Sequence, residues 1–152
     1  MRKLGFLLVI LFPFCTFLKA QVYDFKTINQ ENGLPSSVIT CLTQDSRDLI
    51  WIGTDGAGLV KYDGSTFFTY DLSNGLKGTF ITAIVEDANH NLVIGTKYHG
   101  IFIFDGHTFF KEINQGNSQI KSNFISQLLA APEGTYCVTD NEIFLVTKKY
   151  EA

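Results

Sequence analysis

Between residues 38 and 113 the apolar side chains come in short bursts, with Asp, Gly, Asn and Ser gathered between them. The bursts "VITCLTQ" (38–44), "LIWIGT" (49–54), "GLVKY" (58–62) and "STFFTY" (65–70) alternate or run apolar for five to seven residues. That length and β-branched content predict strands, and "DSRD", "DGAG" and the pair Asp63–Gly64 supply tight turns between them. In an Asp-Gly turn the glycine takes the positive φ that a two-residue hairpin demands. Nothing shows the 3.6-residue apolar spacing of a helical repeat.

The four bursts then recur. "DSRDLIWIGTDGAGLVKYDGSTFF" (45–68) returns 42 residues later as "DANHNLVIGTKYHGIFIFDGHTFF" (87–110), with ten of 24 positions identical and no gap. "NGLPSSVITCLTQD" (32–45) matches "NGLKGTFITAIVED" (74–87) at the same offset. A worn third copy, "SNFISQLLAAPEGTYCVTDNEIFLVT" (122–147), keeps Ile125 and Leu128 at the spacing of Ile39 and Leu42; its "VTD" stands in for "IGT". Four short antiparallel strands per 42 residues predict propeller blades. The expected fold is all-β: a partial β-propeller of about three four-stranded blades (29–70, 71–112, 113–152) following a signal peptide.

Within this scheme each motif residue has an architectural task. Trp51 and its counterpart Val93 face one side of a blade, and Ile52 and Ile94 the other. Gly53–Thr54 and Gly95–Thr96 fall near the crowded hub, where glycine admits a close backbone. Asp45 and Asp87 end the first strand, where a carboxylate can accept turn N–H groups, and Asp63–Gly64 and Asp105–Gly106 make the hairpin turns. Metal binding at Asp45 and Asp87 is the sharper alternative, but "DSRDLIW" and "DANHNLV" share no ligand spacing.

These residues carry a resemblance. Asp45, Trp51, Ile52, Gly53, Thr54, Gly58, Leu59, Tyr62, Asp63 and Gly64, with the "NGLPSSVI" lead-in, resemble the two-component regulator propeller repeat. The departures are Asp48 in place of a turn glycine, Val93 in place of Trp, and a third copy reduced to apolar spacing. The resemblance implies the periplasmic ligand-sensing region of a sensor histidine kinase or hybrid regulator. No kinase motif and no second hydrophobic span occur in this sequence, so the expectation is sensing without transmission; a stand-alone secreted glycan- or protein-binding propeller is the alternative.

Three blades raise a closure problem, because closed propellers have four to eight. "VYDFKTI" (22–28) aligns with "STFFTY" as an orphan outer strand, and "KKYEA" stops where the third copy's own outer strand should start. Truncation of a longer propeller is the favoured expectation, and self-association through open blade faces is the other.

Residues 1–20 are set apart. "MRK", the apolar run "LGFLLVILFPFCTF" and "LKA" ending at Ala20 have the layout of a secretory signal peptide cleaved after Ala20. The run is shorter than a membrane span, and Cys15 lacks the small residues a lipobox places before its cysteine. Contact with a membrane is then expected only through this leader or a missing C-terminal region, and the location is periplasmic or secreted. Without the leader, nine basic residues face fifteen acidic ones, which leaves no footprint for nucleic acid. Cys41 and Cys137 read as free thiols, with no His or second Cys at metal-ligand spacing.

The catalytic inventory is thin: no G-x-S-x-G, H-E-x-x-H, P-loop or C-x-x-C. Asp63 and Asp105 recur because their turns recur, so the chain is not expected to be an enzyme, and no cofactor is implied. His90, His99 and His107 sit in loops, and the Phe pairs 67–68 and 109–110 are assigned to blade edges. Asp55, Lys97, Tyr98 and His99 differ between copies while the scaffold does not. Propeller loops are where binding residues collect. These four are therefore the candidate rim for an unknown small-molecule or glycan ligand.

Overall fold

A computed structural model describes residues 25–151, so the leader 1–20 and Cys15 lie outside the described residues. Among the described residues eleven strands form three antiparallel sheets. The first blade is β1 (Ile39–Gln44), β2 (Ile50–Thr54), β3 (Leu59–Tyr62) and β4 (Phe67–Tyr70), paired in that order. The second is β5 (Ile81–Glu86), β6 (Leu92–Thr96), β7 (Ile101–Phe104) and β8 (Phe109–Ile113). The third has β9 (Ile125–Ala131), β10 (Gly134–Thr139) and β11 (Ile143–Thr147). The sheets stack with β1, β5 and β9 side by side along the inner edge.

Repeat equivalence extends to register. The first strand carries the same irregularity in blades one and two, between Ile39 and Cys41 and between Ile81 and Ala83. Thr54 and Thr96 donate their hydroxyls to the carbonyls of Gly58 and Gly100 at 2.7 and 2.9 Å. Thr139 does the same to Glu142. The third copy therefore reads Cys137–Val138–Thr139 against Ile-Gly-Thr: the threonine is kept and the glycine is what changed, a match hidden by the late start of this copy and by a first hairpin one residue shorter than in the other two.

Alternation along the strands gives each blade two apolar faces. Trp51, Leu59, Tyr70 and Leu76 of the first blade and its linker pack against Ile81, Ile84, Leu92, Ile94, Phe102 and Phe104 of the second. Its centre is aromatic: Phe104 meets Trp51 edge-on at 5.7 Å and Tyr70 at 4.9 Å between ring centroids. Such pairs add about 0.5–1.5 kcal/mol beyond the area they bury. The second interface repeats the plan with Val93, Ile101, Ile103 and Ile113 against Ile125, Cys137 and Val146. Close approach at the hub needs Gly53 and Gly95. A Cβ on Gly53 would lie 2.4 Å from Cys41 Sγ and 2.8 Å from Ile81, and one on Gly95 would lie 2.6 Å from Ile125.

A capped turn links blades. Asn29 caps the one-turn 3-10 helix Gln30–Asn32 and Asp71 caps Leu72–Asn74; each accepts an N–H from two residues on. Gly33 and Gly75 end these turns in the left-handed conformation, after which Leu34 and Leu76 tuck into the core. Asn114 and Asn117 make the reciprocal bonds ahead of the third blade, where buried Ile120 takes the leucine's place. Of the outer strand expected over 22–28, residues 22–24 lie outside the described residues and 25–28 carry no strand. The Phe pairs divide: Phe67 stacks on Tyr62 at 4.4 Å and Phe109 packs tilted against Phe104 at 4.5 Å, while Phe68 and Phe110 face outward. Among the described residues no helix is long and apolar enough to cross a membrane.

Candidate functional site: the connecting end of the blades

The two ends of the stack differ in chemistry. One end holds the hairpin turns after the first and third strands of each blade, and its side chains are spent on the turns themselves. Asp45 is buried; its Oδ1 accepts from Arg47 N and Leu49 N, and its Oδ2 from Trp51 Nε1 at 2.9 Å and the Arg47 guanidinium. Burial pushes this carboxyl up, but the indole, backbone and guanidinium hydrogen bonds outweigh it and hold it below the ordinary range. Asp63 accepts from the backbone and hydroxyl of Thr66 and then of Ser65, and these bonds hold it far below that range. Asp105 repeats the geometry with Thr108 and His107, beside Gly64 and Gly106 at φ +94° and +97°.

Asp87 shows how the second blade manages without the tryptophan. Its Oδ1 accepts from Asn89 N and Asn91 N. Its Oδ2, the atom that Trp51 satisfies in the first blade, accepts from Tyr150 Oη at 2.9 Å. Asn89 and Asn91 donate their amides to the same phenol oxygen. Sequence reading missed Tyr150 because it lies 63 residues from Asp87; the one available signal was the loss of Trp at Val93, which leaves a carboxylate in need of a donor.

Ser46, Glu86 and His90 also meet at this end, bridging blades one and two. Ser46 Oγ donates to Glu86 Oε1 at 2.7 Å, and both lie near His90 Nδ1, at 3.1 and 3.3 Å. Serine and carboxylate share one ring nitrogen, whereas a nucleophile–base–orienter relay uses both. The arrangement is a bridge between turns.

The connecting end holds the loops between second and third strands together with the capped linkers. Here the four candidate rim residues are all exposed. Phe80, just before β5, draws three of them together. Its backbone forms a bridge with Asp55 of the first blade, and its carbonyl accepts from Lys97 N of the second at 2.9 Å. Its ring meets the Tyr98 ring edge-on at 5.4 Å, and Lys97 Nζ stands 5.3 Å above the Tyr98 face. His99 is tied back through its N–H to Thr96 Oγ1 and stands further round the loop. Phe80 also packs over Gly56, whose N–H, like that of Gly58, donates to Thr79. Beside it opens a groove of about 690 Å³ lined by Pro35, Gly56, Ala57, Asp71, Leu72 and Thr79, within the size range of small-molecule sites. Phe80 replaces Val38 of the first copy, so the copy-to-copy difference that flagged Tyr98 could have flagged it too. Among the described residues no cluster of three His, Cys, Asp or Glu could hold a metal.

Residues 33–56, the lead-in turn with β1 and β2, match the family model described as two component regulator propeller. A histidine kinase, P4, of Formosa agariphila is 41% identical over 73 residues, which is 46% of this chain and 5% of the kinase. Among solved structures, the extracellular domain of a B. thetaiotaomicron hybrid two component system, BT3049, superposes with a TM-score of 0.56 at 26% identity. It covers 73% of this chain and 17% of that one. The extracellular domain of the one component system BT4673 of the same organism gives 0.57 at 22% identity over 70% of this chain and 18% of that one, a likeness of fold. The chain thus spans less than a fifth of the structures it resembles and a twentieth of the kinase.

Proposed function

We propose that this chain, which carries the two component regulator propeller repeat, is an exported ligand-sensing module of a two-component system and binds its ligand at the connecting end of the blades. The observation that carries the reading is the repeat match over residues 33–56, joined to a 26%-identical neighbour that is itself the extracellular domain of a hybrid two component system. The rim gives the reading chemical content. The exposed rings of Phe80 and Tyr98, with Lys97 over one face of Tyr98 and Asp55 bridged to the Phe80 backbone, suit a small neutral or anionic glycan. Aromatic planes stack on the C–H faces of a sugar, while the charged groups bond its hydroxyls or a carboxylate. Kinase activity lies outside the described residues, so the module senses and another segment or partner transmits.

Titration calorimetry against a panel of neutral and uronic-acid oligosaccharides tests this. A ligand is expected whose affinity falls at least about tenfold in Tyr98→Ala, the loss of one well-buried aromatic contact, with the fold retained by circular dichroism. A panel with no ligand, or a ligand indifferent to Tyr98→Ala and Lys97→Ala, overturns the assignment to this rim.

A further inference from the structure

The linkers that lead into β5 and β9 share a motif that the linker into β1 lacks. Residues 76–81 read Leu-Lys-Gly-Thr-Phe-Ile and residues 120–125 read Ile-Lys-Ser-Asn-Phe-Ile, against Leu-Pro-Ser-Ser-Val-Ile at 34–39. Leu76 and Ile120 are buried, and Ile81 and Ile125 open the inner strands opposite Thr96 and Thr139, so the two segments are equivalent in structure as well as in sequence. Between these anchors each linker sets out a lysine and, three residues on, a phenylalanine. Phe80 and Phe124 are exposed to the same degree, 38% and 37%. Lys77 pairs with Glu112 of β8 at 3.1 Å, and Lys121 with Glu142, just ahead of β11, at 3.7 Å. The two glutamates come from different elements, yet each holds a cation near an exposed ring.

The two linkers lie on either side of one loop. Lys97 N donates to the Phe80 carbonyl and Gly100 N to the Asn123 carbonyl, so the loop between β6 and β7, which carries Tyr98, is bracketed by both. Exposed aromatic side chains therefore follow one another across the connecting end. Phe80 stands where blades one and two meet, Tyr98 on the loop of blade two, and Phe124 where blade two meets blade three.

We infer that this rim takes a linear oligosaccharide laid across the blades, with Phe124 and Lys121 forming a second subsite equivalent to Phe80 and Lys77. The inference rests on the glycan reading proposed above and adds the length of the chain and the residues that measure it. A site repeated by the fold suits a ligand that is itself a repeat, whereas a peptide of mixed sequence offers no matched groups at a fixed interval. Packed sheets stand about 10 Å apart, roughly the length of two sugar units, so a chain of about four units reaches both subsites. Once one subsite is filled, the second contact is intramolecular, and the affinity of the long chain exceeds that of a short one without any new kind of contact.

Calorimetry of the full chain with linear β-1,4-glucose and α-1,4-galacturonate oligomers of increasing length tests the inference. In the series that binds, affinity is expected to rise at least about tenfold from the dimer to the hexamer. Phe124→Ala is expected to abolish that rise and to leave the dimer bound at Tyr98 as before. Lys121→Ala, at a side chain 73% exposed, should reduce the rise without risk to the fold. Phe110→Ala, at an exposed position of the outer strand β8, should change neither. Affinity that does not depend on length, or that rises with length equally in Phe124→Ala and Lys121→Ala, overturns the inference and leaves glycan binding at Tyr98 standing. Binding indifferent to Tyr98→Ala overturns the rim reading and the inference with it, as does a failure of both series to bind at any length.

Discussion

Asp45 is a buried carboxylate whose two oxygens bind a turn, an indole and a guanidinium at once. Hydrogen bonds to a charged group are worth about 1.5–3 kcal/mol, so Asp45→Asn is expected to cost roughly that at pH 7. The folded carboxyl titrates below its ordinary value. Its contribution is therefore fully present above the unfolded value near 3.9 and lost as pH falls through the lower folded one. Urea midpoints of the protein and of Asp45→Asn should converge as pH falls below the ordinary carboxylate range; a gap that stays constant through that fall counts against this account. The opposite case is Cys137, whose thiol is pushed up to about 12 by burial, leaving it almost wholly protonated at neutral pH and poorly nucleophilic.

At the scale of elements, the third blade is fastened by the segment after β11. Tyr150 crosses to the Asp87 turn of the second blade and packs its ring on Phe110 at 5.3 Å. Tyr150→Phe keeps the ring contact and removes the donor, at an expected cost of about 1–3 kcal/mol for a carboxylate oxygen left short of a partner. Amide exchange should quicken in β9–β11 and stay unchanged in β1–β4; uniform quickening would mean that the bond supports the whole fold. Strands of this kind were legible in the sequence, since turn chemistry and burst length mark each of β1 to β8 to within two residues. The linkers were not. The capped turns at Asn29 and Asp71 are short polar stretches with no periodicity to read, and only the buried Leu34 and Leu76 show what they hold in place. The rim was legible as a set of positions that vary between copies. The part Phe80 takes in joining Asp55 to Tyr98 depends on two blades meeting, which no local pattern encodes.

For the whole molecule, stability comes from blade stacking, and stacking depends on how closely the inner strands approach. Gly95→Ala places a methyl 2.6 Å from Ile125, an overpacking expected to cost about 1–3 kcal/mol. That is a large share of the roughly 5–15 kcal/mol of a typical domain, and the urea midpoint should fall without a change in the strand content of the folded state. Unchanged stability would mean that the blades have room to slide. In the third copy Val138 holds the register position that Gly53 and Gly95 hold in the first two.

The identical caps at Asn29 and Asp71 have a genetic consequence. Everything between Gly33 and Gly75 forms one unit bounded by the same turn, the same left-handed glycine and the same inserted leucine. A recombination that loses or duplicates this 42-codon stretch joins like to like, so the reading frame, the linker and both faces of the joint survive. Blade number can then drift by whole units in descendants of such a gene while every remaining contact is preserved.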